Sequence, residues 1–467
     1  MRRLPQAPHC WRNWSGGMHE LVIRNGTIAG GEAADIAVED GRIAAIGCEL
    51  PRGREEIEAR GLTIFPGLID VHLHFNEPGR TEWEGGATGS RALAAGGGTL
   101  YFDMPLNSSP CTVSAAAFEE KRAALAACSV TDFGLWGGIV PGNREELEPL
   151  ADAGAVGFKA FLCNSGLPEF PRADDLTLYE GMQVAARRGL PVAVHAESEE
   201  ITAGVTRRIR DAGGCDVRAF LASRPVIAEV EAIHRAALLA RETGARLHIV
   251  HISSGRGVAA ALEARASGTN VTIETCPHYL FFTEADMERI GAAAKCAPPL
   301  RRAAERDGLL RHLFAGEVDV IASDHSPSSP ELKEARDFFQ VWGGIAGVQS
   351  TLGVLLQARR EGRVLEMAEI VRMTAEMPAS CFGMAGKGRI ATGYDADFAL
   401  VNPGKAYVLR QGDLHQRHPL SPYIGSEFRG SVERTLLRGQ TIFHQGRITA
   451  AARGRWQRPH KESACTS

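Results

Sequence analysis

The stretch GLIDVHLHF (67–75) is apolar except for one carboxylate and two imidazoles, and the histidines, His72 and His74, stand two residues apart. In a strand that spacing turns both side chains to the same side. A near-continuous apolar run suits a strand buried on both faces, as in a parallel sheet. With this one taken as 64–73, seven more short apolar runs follow, at 99–104, 132–140, 155–162, 190–196, 246–253, 270–276 and 318–323. Stretches rich in Ala, Leu, Glu and Arg lie between them, at 115–127, 178–188, 228–243, 256–266 and 301–314. Eight strands alternating with helices predict an α/β protein with a (β/α)8 TIM-type barrel. No GxGxxG loop opens the first βα unit, which argues against an open dinucleotide-binding sheet.

In a (β/α)8 barrel the chemistry sits at the C-terminal ends of the strands. The first candidate strand ends on His72 and His74. The fourth carries Lys159 in GFKAFL, alone among apolar neighbours. The fifth, VAVHAE, places His195 near its end, and the sixth, RLHIVHISS, does the same with His251. The eighth, VIASDHSP, places Asp324 there. Each residue has a bland alternative. A strand-end histidine is more often a hydrogen-bonding or packing group, a lysine can snorkel to a rim, and an aspartate can cap a helix. Six such residues at the ends of five strands in barrel order point instead to one metal site. His248 has the opposite strand parity to His251 and is expected to be structural. His278 and His325 are expected behind the ligands. Asp70 either orients an imidazole or holds its loop.

Imidazole and carboxylate suit Zn and similar divalent ions, with Co, Mn and Fe also acceptable. A buried ammonium beside cations is costly, so Lys159 is expected to favour its neutral amine. That amine can take up CO2 as a carbamate, an anion able to bridge two metals. Paired metals lower the pKa of bound water toward ~7. Asp324 is expected to accept the proton and later deliver it to a leaving nitrogen.

The barrel region is bracketed by β segments. LVIRNGTI (21–28) and DIAVEDGRIAAIG (35–47) alternate apolar and polar residues, with Asn25-Gly26 and Asp40-Gly41 as expected hairpin turns. DADFALVNP (395–403) and VERTLLRGQTIFHQGRI (432–448) repeat the pattern. The expected domains are a composite β-sandwich domain from 18–64 and 386–451, and a barrel from 65–385. Residues 1–17 carry three arginines, no acid and no continuous apolar core. They are expected to be a disordered extension ahead of a natural start at Met18, with a short targeting peptide as the other possibility. The basic, polar tail 452–467 is expected to be disordered.

With 467 residues, 44% of them hydrophobic, the chain can bury a large core, and a net charge of -4 without a basic stripe excludes a nucleic-acid binder. No apolar run approaches a membrane span. Ten cysteines without a CxxC pair are expected to be reduced thiols in a cytoplasmic protein.

Together these motifs resemble the cyclic amidohydrolase branch of the amidohydrolase superfamily, which holds dihydroorotases, hydantoinases, dihydropyrimidinases and allantoinases. The resemblance runs from about Leu21 to Ile448. Allantoinase-like blocks include PGLIDVHLHFNEPGRTEWEG (66–85), FDMPLNSSP (102–110), GFKAFLCNSG (157–166), ETCPHYL (274–280), KCAPPLR (295–301), SDHSP (323–327) and WGGIAGVQ (342–349). It implies His72 and His74 on a first metal with Asp324, a carboxylated Lys159 bridging both metals, and His195 and His251 on the second. It also implies a homo-oligomer, a tetramer, acting on a small ureide. Dihydroorotases typically carry Arg two residues after the second histidine, to pair with the substrate carboxylate. Here that residue is Asn76. Asn76 and Asn107 can donate and accept, which suits the hydantoin ring and ureido arm of allantoin, although Asn is also a common turn residue. Ser326 is the expected grip on the ring's amide edge, with Cys163, Asn164 and Gly166 lining the pocket by backbone. The loop 77–86 with Trp83 is either a lid or a capped helix start. Within the same chemistry the rival is a hydantoinase or dihydropyrimidinase; outside it, a non-catalytic scaffold of the same fold.

Overall fold

The computed structural model describes residues 18–460. Eight parallel strands form the barrel: β1 (Leu68–Leu73), β2 (Gly98–Asp103), β3 (Asp132–Leu135, resumed at Gly137–Gly138), β4 (Phe158–Phe161), β5 (Pro191–His195), β6 (Arg246–Ile249), β7 (Val271–Thr275) and β8 (Val320–Ile321). Each lies inside a predicted run, except that β2 starts one residue before its own. Pairing runs β1-β2-β3 and β3-β4-β5-β6-β7-β8. The ring closes where Asp324 N donates to His72 O (2.9 Å) and His74 N donates to His325 O (2.8 Å).

The intervening helices match the sequence pattern. Ala115–Cys128 starts at Ser114, whose hydroxyl accepts from Ala117 N, and Asp175–Arg188 starts at Asp174, which accepts from Thr177 N. Val226–Thr243 ends at Gly244 in the left-handed conformation. The barrel interior is packed by Ile69, Val71, Leu100, Phe102, Trp136 and Val320, with Phe382 plugging one end at 5.2 Å ring distance from both Phe102 and Trp136. Trp136 spans this interior and donates from its indole to Val71 O (2.9 Å).

The two ends of the chain knit into a nine-stranded sheet around a shared core that includes Leu21, Ile36, Ile57, Phe398 and Leu436. This is the composite β domain. The predicted strand 64–73 divides at Gly67: Thr63–Pro66 pairs antiparallel with the strand Phe398–Val408, and β1 begins at Leu68. Asp40 and Gly41, both with positive φ, make the expected hairpin turn. Asn25-Gly26 does not turn the chain. It is a register shift inside the strand His19–Ile28, with Asn25 at φ 58°. A single left-handed residue can absorb an extra residue as a bulge without reversing the chain.

The tail also departs from expectation. Residues 452–460 are laid against the barrel, with Gln457 N donating to Phe133 O (2.7 Å) and Trp456 packed on Phe118. Composition missed this because the segment is held by main-chain pairing and one aromatic ring. The extension 1–17 and residues 461–467 lie outside the described residues. Among the described residues no helix is long and apolar enough to cross a membrane, and the eight cysteines are all free.

Candidate metal centre and active site

The ends of β1, β4, β5, β6 and β8 bring His72, His74, Lys159, His195, His251 and Asp324 together. On β1 the register against β2 slips by one residue between Asp70 and Leu73. The slip lets Val71 pack in the barrel interior while His72 and His74 still face the site at its mouth. The barrel seam then carries Asp324 beside them: its Oδ1 lies 3.4 Å from both His72 Nε2 and His74 Nε2. The donor atoms of these three residues fall within 4.8 Å of one another. Across the site, His195 Nδ1 and His251 Nε2 are 3.0 Å apart.

Carboxylates behind the imidazoles fix their orientation. His72 Nδ1 donates to Glu274 Oε1 (2.8 Å), leaving Nε2 toward the site. His195 Nε2 donates to Glu197 Oε2 (2.9 Å), leaving Nδ1 as a bare nitrogen toward His251. Glu274 also takes His248 Nε2 (2.8 Å) and the amide of His251 (3.0 Å). Glu197 is answered by Arg224. Burial lowers His72 and His195 below the ordinary imidazole range, and His251 well below it. The neutral imidazole is the form that binds a metal.

Lys159 is fully buried, and its Nζ has no hydrogen-bond partner. Burial brings its amine down to about 8, against the pull of Glu274 and Asp324. Burial would raise Asp324, but His72 and His74 outweigh it and hold the carboxyl at about 2. His251 and Asp324 both sit at positive φ, 40° and 44°. A non-glycine residue there costs roughly 1–3 kcal/mol, a strain typical of functional sites. The donor set fits a divalent metal: two groups of unblocked imidazole nitrogens, an ionised carboxylate and an orphaned buried amine between them.

His72, His74, His195, His251 and Asp324 open into a cavity of about 690 Å³, lined also by Asn107, Asn164, Gly166, Ser326 and Trp342. Asn107 Nδ2 donates to Ser326 Oγ (3.3 Å). Glu199 receives Asn164 N (2.7 Å), which shapes the Asn164–Gly166 turn. Two expected contacts are not on the cavity surface. Asn76 is fully buried at φ 62° and donates to Pro327 O (3.3 Å), so it ties β1 to the β8 loop. Cys163 stands behind His195 near Arg224, a thiol that burial pushes up to about 12.

The readings of Asp70, His325 and His248 are settled by their hydrogen bonds. Asp70 does not orient an imidazole. It accepts main-chain N–H groups of His72 (3.2 Å) and Ser323 (3.1 Å) and so holds the seam. His325 faces away from the ligands, its Nδ1 accepting from Gly347 N (3.1 Å). His248 is structural, as expected, but through Glu274 it also supports His72. Trp83 packs edge-on against Trp342 at 4.8 Å, so the loop 77–86 meets the cavity wall. Glu274 and Glu197 were missed as orienting groups. Their signal was present: each is a lone carboxylate on an apolar strand or just past its end.

A (β/α)8 barrel with this strand-end constellation defines a hydrolase of carbon–nitrogen bonds in cyclic amides, and the chain belongs to the amidohydrolase family, whose model matches residues 63–442. Its curated relatives include allantoinases. That of Solibacter usitatus is 64% identical over 453 residues, covering 96% of this chain and 99% of that protein. That of Rubrobacter xylanophilus is 54% identical over 446 residues, covering 95% and 98%. Among solved structures, the L-hydantoinase (dihydropyrimidinase) of Arthrobacter aurescens superposes with a TM-score of 0.91 at 33% identity, covering 94% of this chain and 99% of that one.

Proposed function

We propose that this protein hydrolyses allantoin to allantoate, opening the hydantoin ring at its amide bond. The observation that carries this reading is near-full-length identity of 64% and 54% to allantoinases, against 33% to the hydantoinase of the same fold. In this reading His72, His74 and Asp324 hold one divalent ion and His195 and His251 a second, with Zn the expected metal. When bound, such ions supply a Lewis acid that lowers the pKa of water and polarises a carbonyl.

The chain's own residues do the rest. The neutral amine of Lys159 adds to CO2 and releases one proton, and the resulting carbamate would add an anionic group to those that hold the metal. Asp324, ionised and flanked by two imidazoles, accepts a proton from the attacking water. It then returns that proton to the ring nitrogen as the amide bond breaks, so the leaving amine departs neutral. Asn107 and Ser326 offer paired donors and acceptors for the ring's amide edge.

Ring-opening assays with allantoin, hydantoin, dihydrouracil and dihydroorotate test the reading. Allantoin is expected to turn over fastest, with activity lost on chelation and restored by Zn. Faster opening of hydantoin or dihydrouracil would overturn the substrate and leave the reaction class standing.

A further inference from the structure

The segment 338–344 forms one wall of the cavity, with Phe339, Gln340, Val341, Trp342, Gly343 and Gly344 on its surface. It belongs to no helix or strand. Its carbonyls therefore lack the repeating partners that regular structure supplies. Two lysines outside the segment provide them. Lys295 Nζ donates to Phe338 O (2.6 Å), Phe339 O (3.3 Å) and Val341 O. It lies 4.6 Å from the Phe220 ring centre and 5.2 Å from that of Phe338. Lys333 Nζ donates to Gly344 O (2.8 Å), Trp342 O (2.9 Å) and, outside the segment, Ala292 O (3.3 Å). A lysine amino group carries several N–H donors on one rotatable atom, so it can gather carbonyls from an irregular bend. The planar fork of an arginine is shaped for bidentate partners instead.

The wall is keyed to Ser326. Gly344 has φ 147°, and a Cβ there would lie 2.0 Å from Ser326 O. Gly344 N donates to Lys295 O (2.7 Å), while Ser326 N donates to Ile345 O (3.0 Å). A shift of the segment therefore moves Ser326, and with it the Asn107 amide bonded to its hydroxyl.

Building on the functional reading above, we infer that Lys295 and Lys333 are positioning residues for substrate recognition. Their amino groups set the 338–344 wall and, through Gly344, seat Ser326, so binding of the cyclic ureide depends on two groups committed to main-chain carbonyls. Losing such a wall removes binding shared by ground and transition states, which raises KM and spares kcat.

The test is steady-state kinetics of metal-loaded Lys295→Met, Lys333→Met and Gly344→Ala, with metal content and Tm measured alongside. The expected result is a KM at least roughly tenfold higher in each, with kcat within about threefold of the parent. Gly344→Ala leaves both lysines in place and pushes the wall off Ser326 directly. A lower Tm with unchanged KM in Lys333→Met and Gly344→Ala would overturn the inference, even if Lys295→Met failed to fold. Should the parent open another cyclic amide in place of allantoin, the functional reading falls, and the KM split is read with that substrate.

Discussion

Lys159 and Lys387 are both buried, and the two ends of the barrel treat them in opposite ways. At the site end, Lys159 Nζ has no partner and burial brings it down to about 8. At the other end, Lys387 Nζ lies 2.8 Å from Asp132, 2.7 Å from Asp397 and 3.0 Å from Asp395. Burial works against that charge too, but the three carboxylates hold the amine above its ordinary value. Arg438 joins the cluster through Asp132, which binds the composite β domain to β3. One end leaves a buried amine unanswered, ready for chemistry. The other answers it fully, and that satisfaction holds the architecture together.

Lys159→Ala should break the first half of the comparison. A loss of kcat/KM on the order of 10³-fold is expected, since the metal-centred stabilisation of several kcal/mol goes with it. Melting should change little, and chelation of the parent should reproduce the loss. Lys387→Met should break the other half: about 3–5 kcal/mol of stability lost in urea unfolding, because paired buried carboxylates are left behind. Activity per folded molecule should stay near the parent value. Glu274→Gln sharpens the contrast, since it weakens the carboxylate that orients His72 and also receives His248 Nε2 and the amide of His251. Metal affinity is expected to fall about 10–100-fold in chelator competition, with the fold intact. The smallest effect is expected from Trp456→Ala, about 1–2 kcal/mol of thermal stability with unchanged turnover, because this ring packs at the edge of the core.

The strands and the strand-end cluster were legible because their signals are local and of the right period. His72 and His74 share a strand face, and an apolar run ends at His195. What escaped the sequence depended on three-dimensional bookkeeping of hydrogen bonds. Asp70 stood open between an imidazole and its loop, and a one-residue slip in β1, which leaves no mark in an apolar run, decides for the main chain. Asn76 looked like a ligand contact because an amide can donate and accept anywhere; only its burial against Pro327 assigns it to the seam. Lys295 and Lys333 were invisible for the opposite reason. A lysine in a loop reads as a solvated charge until the carbonyls it gathers are known. The allantoinase-like blocks did carry information beyond the strand-end cluster, since 295–301 contains one of the two lysines and 342–349 part of the wall.

The strap formed by residues 454–457 has a consequence for the order in which the molecule assembles. At Phe133 it completes main-chain pairing that β3 lacks, and Arg455 N reaches Asp132 Oδ1 (2.8 Å) across 323 positions of sequence. Gly454 can fit only because it has no Cβ, which would meet Thr131 O at 1.9 Å. Local βα units can form without it, but a contact of such separation is rewarded only after loop closure has been met. Sealing this edge is therefore expected late in folding, and amide exchange at Phe133 and Gln457 should report it as a step separate from formation of the histidine-bearing rim.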